Sequence, residues 1–105
     1  MKAWELISEA GCWTRLVAAR NLQGEPVHED SADATCWCAI GAIAKCYKTA
    51  TGQEGAMYKL CRYLQTVLHI PRRGYDMDHD VVARWNDDRK RTQAEVVGTL
   101  KHLMI

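Results

Sequence analysis

The sequence predicts a mainly α fold, a compact bundle of four to five helices with one small β-hairpin, in a single domain over residues 1–105. Three observations predict it. Apolar residues recur at helical spacing in several windows, two Thr-x-x-Glu sequences open apolar stripes, and turn chemistry gathers at one place, Asn21 to Pro26. The 105 residues with 48% apolar content are enough for one core and no more.

Taken in order, Trp4, Ile7 and Ala10 with Glu5 and Glu9 between them predict a short amphipathic helix over about 2–10, ended by Gly11. Asn21-Leu22-Gln23-Gly24 followed by Glu25-Pro26 predicts a hairpin, roughly 16–20 paired with 25–28, because Asn and Gly tolerate positive φ and Pro cannot donate to a ladder. After an acidic connector from His28, Asp33 is the expected N-cap of a helix from Ala34 to about Lys48. Its first ten residues are almost wholly apolar, which places it at the centre of the domain. Gly41 within it would cost about 1 kcal/mol relative to Ala, so another element is expected to approach its backbone closely.

Thr51-Gly52-Gln53-Glu54 has capping-box spacing and leads a stripe of Ala56, Met57, Leu60, Cys61, Leu64, Val67 and Leu68, predicting a helix over 53–69 that Pro71 stops. Arg72-Arg73-Gly74 reads as a turn, and Asp76 or Asp78 as the cap of a short helix holding Val81, Val82 and Trp85. Thr92-Gln93-Ala94-Glu95 opens the last helix, 92–104, with Val96, Val97, Leu100, Leu103 and Met104 on one face. The helices at 53–69 and 92–104 are expected to pack on the one at 34–48, with Trp37 and Trp85 in or beside the core.

Fourteen Lys and Arg against thirteen Asp and Glu leave a formal charge of +1, which argues against a polyion. No Phe is present, and four Trp and four Tyr carry the aromatic bulk. The residues from Met1 to Glu9 hold two carboxylates where a secretory leader needs an unbroken apolar stretch, and the longest apolar run, Cys36 to Ala44, is less than half of the roughly 20 residues a bilayer requires. The expected location is the cytoplasm. There five cysteines, an odd number, remain reduced and act as small buried hydrophobes.

Four chemistry-bearing patterns compete with plain structural roles. Cys36 and Cys38, with Cys46, Cys61 or a histidine, suggest a metal site, but a C-x-C pair on a helix points its sulfurs roughly 200° apart and no second knuckle follows. Asp76, Asp78 and Asp80 resemble the opening of a calcium loop, which fails at Val81, where glycine is needed, and at Asp87, where Glu is needed. No metal and no cofactor are therefore expected. Cys38 with His79 and Asp87 would be a cysteine nucleophile with its base and orienting group, set against desolvation that keeps such a thiol inert. Arg84, Arg89, Lys90 and Arg91 form a basic stretch fit for nucleic acid, interleaved with Asp87 and Asp88. Glu25, Glu29, Asp30 and Asp33 form an acidic stretch fit for a basic partner surface.

Trp13-Thr14, Gly24, Trp37-Cys38-Ala39 with Gly41-Ala42, Trp85-Asn86-Asp87, Arg91-Thr92 and Glu95-Val96 together resemble a small uncharacterised family found in bacteria and their phages. The resemblance spans nearly the whole chain and implies no activity of its own. Its Asn86 and Asp87 are expected to end one helix and hydrogen-bond the turn before Thr92. The setting it implies is that of small phage or prophage proteins that bind and inhibit a host protein, such as a CRISPR-type antiviral component. A cytoplasmic protein-binding module is thus the leading expectation, with a nucleic-acid-associated regulator and a cysteine-dependent enzyme as the alternatives.

Overall fold

A computed structural model describes residues 1–105 and confirms a mainly α architecture. Its helices are α1 (Ala3–Leu6), α2 (Ala39–Cys46), α3 (Ala50–Thr66), α4 (Asp78–Asp87) and α5 (Gln93–His102). Three two-residue strands, β1 (Ala19–Arg20), β2 (Pro26–Val27) and β3 (Cys36–Trp37), form a sheet in the order β2-β1-β3. The expected hairpin is present, with Ala19 opposite Val27 and Arg20 opposite Pro26. What differs is the third strand. Cys36 and Trp37, expected inside a helix, instead pair antiparallel with Arg20 and Ala19, and Trp37 also makes a parallel bridge to Trp13.

That strand moves the start of the central helix. Asp33 does not cap it; Cys38 does, in extended conformation, with its sulfur accepting from the Gly41 amide at 3.3 Å. Helix α2 then packs on α1, α3 and α4. The bare backbone of Gly41 lies against Ala18, where a Cβ would come 2.0 Å from the carbonyl oxygen, so the close approach read from the sequence is real.

The other boundaries shift for local reasons. Helix α1 stops at Leu6 rather than residue 10 because the carbonyls of Ile7 and Glu9 accept from the Gln93 side-chain amide, at 2.7 and 2.6 Å, instead of continuing a helical ladder. Helix α3 begins at Ala50, capped by Thr49 rather than Thr51, with the Thr49 hydroxyl accepting from the Gly52 amide at 3.0 Å. It ends at Thr66, so Val67 and Leu68 are exposed and the buried stripe is Ala56, Leu60, Cys61 and Leu64. Neither Asp76 nor Asp78 caps α4: the Asp80 carboxylate, one turn in, accepts from the Met77 amide at 2.8 Å.

Helix α5 opens on the expected box, with Thr92 and Glu95 exchanging bonds in both directions. Those bonds hold the Glu95 carboxyl below its ordinary pKa, with Arg91 adding to the effect. Beyond Leu103 the chain turns at Met104, φ +57°, which exposes Met104 and returns Ile105 to the core. Helix α5 packs chiefly on α1 rather than on α2 as expected. Trp37 and Trp85 are both buried, and Ile7, Ile43, Leu60, Leu64, Val81, Val82, Val96 and Leu100 fill the space around them. No helix is long and apolar enough to cross a membrane.

Candidate functional site

Five of the residues quoted for the resemblance, Trp13, Thr14, Ala39, Asn86 and Asp87, meet at one place. Asn86, in the last turn of α4, is only 1% exposed and makes four hydrogen bonds. Its Oδ1 accepts from the Trp13 indole at 2.8 Å and from the Ala39 amide at 3.0 Å. Its Nδ2 donates to the Thr14 carbonyl at 3.1 Å and to Asp87 Oδ1 at 3.0 Å. These use both donors and both acceptor positions of a primary amide. The Ala39 amide opens α2 and has no partner within that helix, so Asn86 closes one helix start from the end of another.

Asp87 and Arg15 complete the clasp. Asp87 Oδ1 accepts from the Leu16 amide at 2.9 Å, and Arg15 donates to the carbonyls of Asp88 and Arg91 while lying 4.5 Å from the centre of the Trp13 ring. Leu16 is held at φ +75°, a left-handed conformation that costs a residue with a Cβ of order 1–3 kcal/mol. The expectation that Asn86 and Asp87 bond the turn before Thr92 is therefore corrected. Asp88 makes that turn, accepting from the Lys90 amide at 2.9 Å, while Asn86 and Asp87 reach across the molecule.

The three residues of the cysteine-enzyme alternative are not assembled. Cys38 and Asp87 both line an apolar cavity of about 140 Å³ with Leu16, Val17, Ala18 and Ile40. His79 stands at the other end of α4, eight residues before Asp87 and so about 12 Å along the helix axis, where it faces Asp80 at 3.4 Å. Burial pushes the Cys38 thiol up; the Gly41 and Ile40 amides oppose this less strongly, and the Asp87 charge adds to it. Native-state alkylation with iodoacetamide is accordingly expected to label Cys38 more slowly than free cysteine, the difference vanishing in urea. Labelling of Cys38 faster than free cysteine in the folded protein would contradict this.

Metal-like patterns resolve into ordinary bonds. The Cys38 sulfur is held at the α2 cap while that of Cys36 lies 3.9 Å from the Arg20 carbonyl. Asp76 accepts from the Arg73 amide and from Arg84, which together lower its pKa, Asp78 pairs with Arg72 at 2.6 Å, and Asp80 caps α4. His28, Glu29 and Asp30 bring their ligand atoms within 4.8 Å of one another on the surface. In that group His28 Nδ1 already accepts from the Asp30 amide at 3.1 Å, and Asp30 faces Lys45 at 3.8 Å.

The two charged stretches divide in the same way. Glu25 closes the hairpin turn through Asn21, and the carbonyl of Glu29 accepts from the Trp37 indole at 2.9 Å, while the exposed Asp33 carboxylate has neither a counter-ion nor a hydrogen-bond partner. Arg84 is bound to Asp76 and to the Pro71 carbonyl. Arg91 is bound to Glu95 and the Trp85 carbonyl, over the Trp85 ring at 5.3 Å. Only Arg89 and Lys90 of the basic four are exposed without an ion pair.

One feature escaped the sequence reading. A groove of about 600 Å³ runs between α3 and the start of α4, lined by Glu54, Met57, Tyr58, Arg72, Met77, Asp78 and His79. Tyr58 is 57% and Met77 61% exposed. Arg72 is fixed by Asp78 and by the Asp76 carbonyl, so Glu54 is the carboxylate on the rim that no cation answers. Met57 was expected in the core stripe, and Tyr58 and Met77 lie off any stripe; large apolar residues off the buried face are the signal that marks such a surface.

A small mainly α domain in which Asn86 and Asp87 clasp distant elements together is the class that fold and site define. A family model matches residues 1–103, and the chain belongs to that family, the family of unknown function DUF6197. No match was found among curated proteins or among solved structures.

Proposed function

We propose that the chain is a cytoplasmic protein-binding module that docks its partner in the groove between α3 and α4. The observation that carries this reading is the exposure of Tyr58 and Met77 beside Met57 and Arg72 in one concavity. Met adapts its shape to a partner, Tyr gives contact area at little entropic cost, and Tyr, Met and Arg are enriched where proteins meet. The partner segment brings an apolar side chain with a Lys or Arg next to it, because Glu54 is the unanswered charge on the rim. In the bacterial and phage setting that the sequence resembles, the partner is a host protein, such as an antiviral-defence component, which the bound domain blocks.

The test is capture from a host lysate by the wild-type chain, by Met77→Glu and by Leu22→Glu, the last altering an exposed residue in the hairpin turn. A protein retained by wild type and Leu22→Glu, but reduced by about tenfold or more with Met77→Glu, is the expected result, the loss of a central interface side chain. Equal retention by all three chains would sink the reading.

A further inference from the structure

The bridge between Trp13 and Trp37 also sets two thiols side by side. It is parallel, with the Trp37 amide donating to the Cys12 carbonyl at 2.9 Å and the Thr14 amide to the Trp37 carbonyl at 3.1 Å. One residue earlier on each strand, that register puts Cys12 opposite Cys36. Paired strands run about 4.8 Å apart and opposed residues project to the same face, which gives the pair the spacing of roughly 4.4–6.8 Å between Cα atoms that a disulfide spans. Trp37 is buried, so Cys36 and Cys12 take the other face of the strands, where both are half-buried and free. The Cys36 sulfur makes only a weak contact with the Arg20 carbonyl, at 3.9 Å, which a turn about χ1 gives up at little cost. The Cys12 thiol is pushed up by burial and then by the charges of Glu9 and of Cys36 itself, a sign that the two sulfurs are near neighbours. The other thiols stand apart: Cys38 is held by the Gly41 amide, Cys61 contacts Gln65 and Arg72, and Cys46 lies among Met1, Lys2, Glu5 and Tyr47.

We infer that Cys12 and Cys36 are a redox-responsive pair that closes to a disulfide when a small-molecule disulfide such as oxidised glutathione is present. One thiol loses its proton to solvent, and its thiolate attacks a sulfur of the oxidant, forming a mixed disulfide and expelling a small thiolate that takes up a proton. The second thiolate attacks the protein sulfur of that mixed disulfide, so the Cys12–Cys36 bond forms and a second small thiol leaves. Two electrons pass from the pair to the oxidant, which departs as two thiols. The new bond closes a loop of about 24 residues that holds the hairpin. It also fixes Trp13, the next residue, against Trp37 and so steadies the arm of the clasp that reaches Asn86. The oxidised chain therefore resists unfolding more than the reduced one.

The experiment equilibrates the folded full chain with millimolar reduced and oxidised glutathione, quenches with acid, and maps the disulfides by mass spectrometry without reduction. The expected result is a prevailing Cys12–Cys36 link, with Cys46 stopping at a mixed disulfide and the buried Cys38 and Cys61 still reduced. The linked chain melts on the order of 10 °C higher than the reduced one, and excess dithiothreitol reverses both the link and the rise. Cys12→Ser leaves Cys36 as a glutathione adduct and abolishes the rise, and Cys36→Ser does the same for Cys12. Failure of the two to join, whether they stay reduced or each carry glutathione, overturns the inference, as does a different prevailing pair. A linked chain that melts no higher than the reduced one also overturns it, because the bond would then have formed only by distorting the strands.

Discussion

Replacing Asn86 by alanine is expected to lower the free energy of unfolding by about 3–4 kcal/mol. The loss is not four hydrogen bonds counted singly. The Ala39 amide is buried and cannot reach water, so it bears the full desolvation penalty of an unpaired donor, about 1–3 kcal/mol. Trp13 is half-buried and its indole recovers part of its bond from solvent. The carbonyl of Thr14 and the carboxylate of Asp87 lose the donor that holds them in place, and with them loosens the support for Leu16 at φ +75°. For a domain of this size, such a loss is a large fraction of the 5–15 kcal/mol that usually separates folded from unfolded.

Urea denaturation measures this directly: the midpoint falls while the slope stays that of the wild type. Asn86→Asp is expected to do no better at neutral pH, since it keeps the acceptor for Trp13 and Ala39 but sets a second carboxylate against Asp87. A decrease of under about 1 kcal/mol in Asn86→Ala would show that the clasp does not hold the fold as described.

Local patterns were legible in the sequence and non-local ones were not. The Thr92–Glu95 box needs only four consecutive residues, and it is found where the spacing placed it. The hairpin likewise lies within one short window, with Asn21 and Glu25 bonded across a turn that holds Gly24 at positive φ. Where two local solutions compete, sequence cannot choose: Thr49 and Thr51 both offer a hydroxyl three residues before an amide, and Thr49 caps α3. The run from Cys36 to Ala44 is apolar throughout, so it has no period to separate strand from helix. Only the presence of Arg20 and Trp13 alongside Cys36 and Trp37 makes the first part a strand.

The clasp is the extreme case. The residues quoted for the family resemblance include Trp13, Thr14, Ala39, Asn86 and Asp87, yet Asn86 bonds partners 47 to 73 residues away in the chain, and no window of helical length contains both ends. The α3–α4 groove escaped for the opposite reason. Tyr58 and Met77 are single apolar residues among polar neighbours, which is ordinary on a surface, and only the fold sets them side by side.

Gly41→Ala is expected to destabilise the protein by about 2–4 kcal/mol, although the same change in an open helix is favourable by about 1 kcal/mol. The sign is decided by Ala18. A Cβ on residue 41 would stand 2.0 Å from the Ala18 carbonyl oxygen and 2.8 Å from its carbon, and both are backbone atoms that no rotamer change can move. That carbonyl is also the acceptor for the Cys38 amide at 3.1 Å, so pushing it away opens the bond that sets the start of α2 against the sheet. Retreat is blocked on the other side, because Ala19 follows at once, fully buried and paired with both Val27 and Trp37. The displacement must therefore be shared by β1 and α2 together. Gly55→Ala is the control: it lies in α3, a Cβ there meets nothing within 4 Å, and the helix-propensity gain should appear alone. Calorimetry of the two variants should show the melting temperature falling on the order of 10 °C or more for Gly41→Ala and rising by a few degrees for Gly55→Ala. Shifts of the same sign in both would mean that α2 and the residue 18 backbone do not meet as closely as the structure places them.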